Sequence, residues 1–288
     1  MVELSVIILN YKTKDLTIEC INSIVAQYEQ ELEKGIFEII LVDNASGDDS
    51  VKAFKKLKIS NLRLIENNEN AGFSKGCNLG AKSAKGKFLL FLNSDTLIKD
   101  QGLMKMIKFF DDKKTLGILG GKLKNDDGSN QLSCGKFYSP FNLFLMLFGF
   151  NKFTRESPNV IKKVDWVSGA SLMIKRETFN KLGGFDKDIF MYLEDMELCY
   201  RAKKAGLDTY FFPEIMLFHK EGRSSGRSFA ILNIYKSTLI FYKKYMSKSD
   251  YNFARRMLYF KALFLNSFGK LTKNSYYINT YGKALEFF

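Results

Sequence analysis

Polar side chains that could hold a ligand follow three of the apolar runs in the first part of the chain. The same residue types also cap helices and form turns, so each loop taken alone could be structural. Three such ends at one rim of a parallel sheet favour a ligand site, because ligands bind beyond the carboxyl ends of its strands. These residues are Asn10 and Tyr11 after the first run, Asp43 and Asn44 after the second, and Asn93, Ser94 and Asp95 after the fourth.

The carboxylate of Asp95, just behind the run Lys87–Leu92, is a candidate ligand for a divalent cation. A cation held by a carboxylate on a rigid strand end is a common way to bind a diphosphate. The two glycine-rich alternatives are excluded. No G-x-G-x-x-G follows a predicted strand, and the P-loop pattern G-x-x-x-x-G-K-[ST] does not occur.

His219, the only histidine, follows the apolar stretch Tyr210–Phe218, in which Pro213 indicates an interrupted or edge strand. A lone histidine beside an apolar run is more often a core or turn residue than a ligand. Both roles stay open on the residues alone.

A second acidic cluster opens the segment Tyr192–Gly206, which has the charge pattern of a helix with acids at its start and bases at its end. The acids Glu194 and Asp195 could therefore only stabilise the first turn. A carboxylate here could also take a proton from an attacking hydroxyl. The helix N-terminus predicts a lowered pKa that keeps Asp195 ionised.

The elements that must position these groups alternate between strand-like and helix-like patterns. Near-continuous apolar runs predict strands that are covered on both faces, and apolar residues at spacings of three and four predict helices between them. This order predicts an α/β fold with a parallel sheet. The predicted strands are Leu4–Leu9, Phe37–Val42, Leu62–Ile65 and Lys87–Leu92, and the helices are Asp15–Tyr28, Asp49–Leu57 and Ser74–Lys85.

The composition is that of a folded protein, since 46% of the 288 residues are hydrophobic and 15% are aromatic. Disordered and collagen-like classes are thereby excluded. No export signal or membrane span is apparent, so we expect a cytoplasmic protein that is not integral to a membrane. Four widely spaced cysteines without metal-ligand spacing are expected to be reduced and mostly buried. They are Cys20, Cys77, Cys134 and Cys199.

The net charge of +13 is concentrated at the C-terminus, where residues 221–288 hold 12 Lys and Arg against 3 Asp and Glu. Residues 226–285 show helical patterns that interleave aromatic with basic residues, interrupted around Ser247–Asp250 and Lys273–Ser275. Such helices either lie on an anionic membrane surface, with Phe137–Phe150 as a second apolar contact, or pack on the preceding domain. A protein that binds single-stranded nucleic acid is a non-enzymatic alternative, but it leaves the polar strand ends unexplained.

An ordered series of sequence blocks resembles glycosyltransferase family 2, and most closely its rhamnosyltransferase-like branch, which acts on cell-surface polysaccharides. The blocks span roughly residues 3–225: an opening like SVIILNYK, then VDNASGDDS, NNENAGFSKGCNLG, FLLFLNSDT, WVSGASLMIKRETFNKLGGFD, MYLEDMELCYRAKKAG and FHKEGRSS. The resemblance implies a GT-A fold, which is Rossmann-like, with a mostly parallel central sheet and helices on both faces. We expect a catalytic domain over residues 1–225, with a nucleotide half at about 1–98 and an acceptor half at about 99–225. Residues 226–288 would form a helical extension.

The resemblance also implies a role for each matching residue on the nucleotide side. Asp43 would accept a hydrogen bond from the imide N–H of uracil or thymine. The sequence Asn93-Ser94-Asp95 stands where the family often has D-x-D, so Asp95 would supply the metal carboxylate and His219 would complete a Mg²⁺ or Mn²⁺ site. The nucleotide-binding set is Asn10, Tyr11, Asp43, Asn44, Lys75, Asn78, Asn93 and Ser94.

On the acceptor side, the resemblance assigns the general base of an inverting transfer to Asp195, with Glu194 as its neighbour. Trp166, Gly169 and Ala170 would form the floor of the sugar pocket. The implied donor is dTDP-rhamnose, with a UDP-sugar as the alternative. The implied acceptor is a glycan or a polyprenyl-diphosphate-linked saccharide at the inner face of the cell membrane, and nucleic acid is not an expected partner.

Overall fold

Alternating strands and helices build a large sheet with helices on both faces. The computed structural model describes residues 1–111, 113–220 and 226–288. The strands are β1 (Leu4–Asn10), β2 (Phe37–Asp43), β3 (Leu62–Glu66), β4 (Phe88–Asn93), β5 (Thr96–Ile98), β6 (Leu116–Lys124), β7 (Cys134–Gly135), β8 (Arg155–Glu156), β9 (Lys162–Val164), β10 (Trp166–Val167), β11 (Ser171–Lys175) and β12 (Asp208–His219). The helices are α1 (Lys14–Glu33), α2 (Ser50–Phe54), α3 (Gly72–Ser83), α4 (Gly102–Asp111), α5 (Pro140–Leu147), α6 (Arg176–Lys181), α7 (Glu194–Lys204), α8 (Arg227–Tyr245), α9 (Lys248–Leu271) and α10 (Ser275–Leu285).

Nine of the described strands form the central sheet, in the order β3-β2-β1-β4-β11-β6-β12-β5, with β9 also paired to β12. The neighbours within β1–β4 pair in parallel, as do β6 and β12, whereas β11 is antiparallel to both β4 and β6. Six strands, β1–β4, β6 and β12, therefore run in one direction. Their carboxyl ends lie along one side of the sheet, which we call the carboxyl edge. The predicted mostly parallel α/β sheet is confirmed.

Both faces of the sheet are covered because its inner strands are apolar throughout. Val6 and Ile8 of β1 belong to a core cluster that includes residues of α1 and α4. Ile7, between them, belongs to a second cluster with residues of α3, α7 and α8. Successive side chains of a strand point to opposite faces, so one apolar strand joins both cores.

Three elements differ from their predicted form: helices α1 and α2 end at other residues, and strand β12 lies in the interior of the sheet. Helix α1 continues to Glu33 across a kink at Tyr28, whose hydroxyl accepts a hydrogen bond from the Leu103 N–H (2.9 Å). Helix α2 ends at Phe54, three residues before the predicted end at Leu57, because the amides of Lys56 and Leu57 bond three residues back instead of four. Strand β12 lies inside the sheet, and its register with β6 shifts between Phe212 and Met216, around Pro213. The predicted interruption is thus a bulge in an interior strand.

The C-terminal helices share a hydrophobic core with the sheet. Tyr235, Phe241 and Tyr242 of α8 are buried in the same cluster as the sheet, and α9 and α10 pack beside them. The helical extension is therefore present, and α8 packs on the preceding domain. The proposed boundary at residue 225 stays a prediction, since residues 221–225 lie outside the described residues.

All four cysteines are buried and unpaired, as predicted. Within the part of the chain that the structure describes, no helix combines the length and the hydropathy needed to cross a bilayer.

Candidate active site

The ends of β1 and β2 form a buried polar cluster at the carboxyl edge. Asn10 donates through Nδ2 to Asp43 Oδ1 (2.6 Å), and the Ser46 hydroxyl donates to the same oxygen (2.6 Å). The Ser46 N–H donates to Asp43 Oδ2 (3.1 Å). Thr13 and Thr17 donate to Asn10 Oδ1 (3.1 and 2.8 Å). The side-chain amide of Asn10 therefore uses its nitrogen to bind Asp43 and its oxygen to accept from the two threonines. Asp43 Oδ2 accepts one hydrogen bond and can accept one more.

A cleft of about 390 Å³ opens at this edge. Its lining joins the loops after β1, β2 and β4 to the segment before α7 and to the start of α8. Gly72 permits this closeness, since it has φ +81° and a Cβ there would lie 2.5 Å from the Phe190 carbonyl oxygen. The lining residues are Leu9, Tyr11, Thr13, Asn44, Asn70, Gly72, Phe73, Asn93, Ser94, Asp95, Phe190, Met191, Gly226 and Phe229.

Asp95 and His219 meet in this region because the carboxyl ends of β4 and β12 lie on the same side of the sheet. Asp95 Oδ1 is 3.2 Å from His219 Nε2, and both side chains are largely buried. The other oxygen, Asp95 Oδ2, is buried and has no hydrogen-bond partner among the described residues. A buried carboxylate oxygen left unpaired is costly, which indicates a ligand at that position.

Gln131 sets the tautomer of His219. Its Nε2 donates to the His219 carbonyl and to Asn125 Oδ1 (both 2.7 Å), which leaves Gln131 Oε1 as the acceptor facing His219 Nδ1 (2.9 Å). In neutral His219 the proton is therefore on Nδ1, and the Nε2 lone pair points toward Asp95. Two electron-rich atoms 3.2 Å apart could both bind one cation placed to the side of the line that joins them. In the described ranges, no group of three or more His, Cys, Asp or Glu side chains is arranged to hold a metal ion.

Asp195 lies in the first turn of α7. Its Oδ2 accepts from the Gly169 N–H (2.8 Å) and its Oδ1 from the Met196 N–H (2.7 Å). The two residues before the helix, Tyr192 and Leu193, both have left-handed backbone angles (φ +66° and +68°). Side-chain-bearing residues pay about 1–3 kcal/mol each for such angles, which cluster at functional sites.

Burial raises the pKa of Asp195, although the two backbone hydrogen bonds and the charge of Arg155 act to lower it. The prediction of a lowered pKa from the helix N-terminus is wrong, because desolvation outweighs those contacts. Burial and the adjacent Asp195 raise the pKa of Glu194 well above its usual range, and Glu194 Oε2 is buried with no hydrogen-bond partner in the part of the chain that the structure describes. Burial thus favours the protonated form of both carboxyl groups, most strongly that of Glu194, while the two backbone donors and Arg155 favour the ionised form of Asp195.

Two backbone contacts connect Asp195 to the carboxyl edge. The Asn93 N–H donates to the Ala170 carbonyl (3.2 Å), and Gly169, the preceding residue, donates to Asp195. Met191, four residues before Asp195, lines the cleft. The structure thus brings Tyr11, Asn44, Asn93, Ser94 and Asp95 together, with Asp195 nearby.

Three predicted site residues have other partners or lie apart. Both amide atoms of Asn78 bind the backbone of Phe185 (2.8 Å each), and Lys75 is an exposed residue of α3 outside the cleft lining. Trp166 is buried, its indole N–H donates to the Lys136 carbonyl (3.0 Å), and the guanidinium of Arg155 lies over its ring at 5.0 Å. Their assigned roles stay predictions.

Sequence reasoning missed residues whose position depends on the tertiary fold. Gln131 follows β6 and sits in an irregular segment, and Phe229 belongs to the C-terminal extension. Arg155 acts on Asp195 from a two-residue strand. None of these three residues lies within a sequence block that carried the resemblance. Their contribution to the site depends on contacts with residues that are distant in the sequence.

A family model described as Glycosyl transferase family 2 matches residues 5–183. The chain belongs to glycosyltransferase family 2. The family predicted from the sequence blocks and the enzyme class that goes with it are confirmed. The matched residues hold the ends of β1, β2 and β4, and Asp195 and His219 lie beyond them.

Two relatives and one solved structure illustrate the likeness. The chain is 32% identical over 146 residues to rhamnosyltransferase WbbL of Escherichia coli K12, covering 48% of this chain and 54% of that protein. It is 27% identical over 227 residues to the N-acetylglucosaminyl-diphospho-decaprenol L-rhamnosyltransferase of Mycobacterium tuberculosis H37Rv, covering 70% of this chain and 73% of that protein. GalNAc-T7, solved with UDP, GalNAc and Mn²⁺, has a TM-score of 0.61 at 18% identity, covering 83% of this chain and 48% of that one. This likeness confirms the GT-A fold. The chain spans only about half the length of WbbL and of GalNAc-T7.

Proposed function

We propose that the chain is an inverting glycosyltransferase that transfers rhamnose from dTDP-rhamnose to a glycan or a polyprenyl-diphosphate-linked saccharide in cell-surface polysaccharide assembly. The observation that carries the proposal is the cleft at the carboxyl edge, which is lined by Asp95 and by Met191 of the segment that precedes α7 and Asp195. One carboxylate oxygen of Asp95 is buried with no hydrogen-bond partner among the described residues. Both relatives described above bear rhamnosyltransferase names, which supports rhamnose as the sugar.

The nucleotide would bind across the ends of β1, β2 and β4. Asp43 Oδ2 has a free acceptor position for the imide N–H of the base, while Asn10 and Ser46 hold the carboxylate in place. Tyr11 and Asn44 would line the same region, and Asn93 and Ser94 would contact the ribose. An imide is common to thymine and uracil. A UDP-sugar donor is therefore the second candidate, and UDP in the GalNAc-T7 structure favours it.

Asp95 and His219 are the proposed protein ligands of a Mg²⁺ or Mn²⁺ ion that the diphosphate would complete. The unpaired Asp95 Oδ2 and the Nε2 lone pair of His219 fit such an ion. When bound, a divalent cation neutralises the negative charge that develops on the departing nucleoside diphosphate.

Asp195 would act as the general base of a single displacement. Its carboxylate takes the proton of the acceptor hydroxyl as the oxygen of that hydroxyl forms a bond to the anomeric carbon. The bond from that carbon to the diphosphate breaks on the opposite face, and the diphosphate leaves with the electron pair. Attack from one face and departure from the other invert the anomeric configuration. The Gly169 and Met196 N–H groups hold the carboxylate in one orientation for this transfer.

An acceptor on a polyprenyl diphosphate would place the enzyme at the inner face of the cell membrane. The name of the mycobacterial relative includes a diphospho-decaprenol acceptor, which supports this class. The basic surplus in residues 221–288 suits an anionic surface.

Calorimetric titration tests the donor site. We would titrate dTDP, UDP and GDP, each with Mn²⁺ and with a chelator, into the wild-type protein, Asp95→Ala and the control Asp15→Ala, whose side chain is exposed on α1. We expect binding of dTDP with Mn²⁺ that the chelator and Asp95→Ala abolish and the control retains.

Each other outcome changes the proposal in a defined way. Binding of UDP but not dTDP would select the second candidate. No binding of any nucleotide would overturn the proposed donor site, and salt-sensitive binding of oligonucleotides instead would favour a nucleic-acid-binding role for the basic C-terminal extension.

A further inference from the structure

Helices α5 and α9 expose many large apolar side chains to solvent. These residues form a surface that we call the aromatic face. It consists of Phe141, Phe144, Phe148, Phe150 and Phe153 in and after α5, and of Phe253, Phe260, Leu263, Phe264, Phe268 and Leu271 in α9. Single exposed apolar residues are ordinary, but a concentration of this kind marks an interaction site.

Helix α9 is apolar on two opposite sides. Ala254, Leu258 and Ala262 are fully buried against the rest of the protein. The opposite side carries Phe260 and Phe264, which are 61% and 69% exposed. A surface helix normally buries its apolar side chains on one side only, so the large apolar side chains on the outer side of α9 are left without a covering element among the described residues.

The contributions of α5 and α9 form one surface. The two helices pack against each other, and the ammonium of Lys261 in α9 donates to the Leu147 carbonyl at the end of α5. Burial lowers the pKa of Lys261, in keeping with its place between the helices. A cation at the last turn of a helix also stabilises the helix dipole.

The formal charge of this surface is positive, and the single acid of α9, Asp250, lies in the first turn of the helix, where its carboxylate accepts from the Ser247 hydroxyl (2.8 Å). The segments 141–153 and 251–271 contain Lys152, Arg255, Arg256, Lys261 and Lys270, and neither segment contains Asp or Glu. Aromatic and aliphatic side chains with basic residues beside them are typical of surfaces that lie in the interface of an anionic bilayer.

We propose that the aromatic face docks on the headgroup region of a bilayer that contains anionic lipids. A second copy of this chain is a poorer occupant. Two-fold pairing would place the same cations opposite one another, with no carboxylate in these segments to compensate them. An anionic lipid surface supplies both the apolar contact and the missing negative charge.

Strand pairing connects the aromatic face to the acceptor side of the site: β8 begins two residues after Phe153 and pairs with β7, and β7 pairs with β10, which ends two residues before Gly169, the donor to Asp195. Tyr138, two residues before α5, is buried, and the charge of Asp195 contributes to raising its pKa, after burial itself. Arg155, two residues after Phe153, favours the ionised form of Asp195. If the proposed function holds, a docked enzyme has its general base near the lipid surface that carries the acceptor.

Vesicle co-sedimentation tests the docking. We would use vesicles of pure phosphatidylcholine and vesicles of equal parts phosphatidylcholine and phosphatidylglycerol. The test variant combines Phe141→Ser, Phe153→Ser, Phe260→Ser and Phe264→Ser, all at exposed positions. The matched control combines Met104→Ser and Met216→Ser, which are exposed apolar residues of α4 and β12. Thermal unfolding of all proteins checks that the folds are equally stable.

We expect the wild type and the control to sediment with the anionic vesicles, and the test variant to bind about tenfold or more weakly. A variant with Lys152→Gln, Arg256→Gln and Lys270→Gln should lose about fivefold affinity per charge for anionic vesicles only.

Failure of the wild type to sediment, or undiminished binding by the test variant, would overturn the proposal. A wild-type dimer that the test variant converts to a monomer, without lipid binding by either, would instead assign the face to self-association. Nucleotide binding measured without vesicles reports on the donor site separately. The affinity for the nucleotide should be the same in the test variant as in the wild type. If neither protein bound a nucleotide, the proposed function would fail, but the conclusion on lipid docking would stand.

Discussion

The hydroxyl of Tyr245 in α8 donates a 2.5 Å hydrogen bond to Oε1 of Glu197 in α7. Glu197 is fully buried and also binds the guanidinium of Arg201 through both carboxylate oxygens (2.5 and 2.6 Å). Arg201 in turn donates to the carbonyls of Leu182 and Gly184. The C-terminal extension is thus joined by a charged network to the helix that holds Asp195.

Breaking this network should destabilise the whole fold. Glu197→Gln leaves the Arg201 cation without its counter-charge in a largely buried place, which we expect to cost about 3 kcal/mol of unfolding free energy. Thermal unfolding should show a midpoint lower by about 6–12 °C. The matched control is Glu177→Gln, which removes an exposed i,i+4 pair with Lys181 and should change stability by less than about 0.5 kcal/mol. Equal midpoints for the two variants would show that the buried pair contributes nothing.

Removing the proposed base should separate chemistry from binding. Asp195→Asn keeps an oxygen that can accept from Gly169 or Met196 but takes no proton, so we expect kcat to fall by about 10²–10⁴. Affinity for the nucleoside diphosphate, measured by calorimetry, should stay within about twofold, because the base would not contact the nucleotide. Asp127→Asn, in an exposed turn, is the control. An Asp195→Asn enzyme with wild-type kcat would exclude Asp195 as the base.

The pH dependence follows from the environment of Asp195. Burial raises the pKa of Asp195, so kcat/KM should fall on acidification at a pH above the ordinary aspartate value of about 3.9. The cation of Arg155 favours the carboxylate. Arg155→Ala should therefore raise the pKa further and move the acid limb of the pH–rate profile to higher pH. Arg155→Lys keeps the charge and should leave the limb in place. An acid limb that moves to lower pH in Arg155→Ala would contradict this arrangement.

Gln131 should act on the metal site through His219. Gln131→Leu removes the acceptor that keeps the proton of His219 on Nδ1. The proton can then move to Nε2, where it blocks the lone pair that would bind the ion. We expect Mn²⁺ affinity in the presence of the nucleoside diphosphate to fall by about 10–100-fold, measured by calorimetry. Gln101→Leu, an exposed glutamine at the start of α4, serves as the control. Unchanged Mn²⁺ affinity in Gln131→Leu would mean that His219 does not need this partner or does not bind the ion.

The first half of the fold could be predicted from the sequence because its signals are local. Each of β1 to β4 is a short apolar run closed by polar residues, and right-handed crossovers leave little freedom in how such runs pair. The second half depends on distant contacts. The antiparallel insertion of β11 between β4 and β6 has no local signature, and the bulge in β12 was recognised only through Pro213.

In the candidate site too, the residues with a local sequence signal could be predicted and those placed by distant contacts could not. The strand ends predicted the grouping of Asn44, Asn93 and Asp95, because their position follows from the parallel topology. Nothing local indicated that Gln131 would fix His219 or that Phe229 would line the cleft. The sign of the Asp195 pKa shift was also missed, since a helix terminus is visible in a sequence while the loss of water around a carboxylate is not.

The buried cysteines have a practical consequence for following the enzyme at work. Burial raises the pKa of Cys134 and Cys199 to about 12 and raises the pKa of Cys20 and Cys77 as well, so all four remain protonated and unreactive toward thiol reagents near neutral pH. A cysteine introduced at exposed Leu271 would then be the preferred site of labelling by a fluorophore or a nitroxide. Such a probe could report immersion depth in a bilayer without removal of any native thiol.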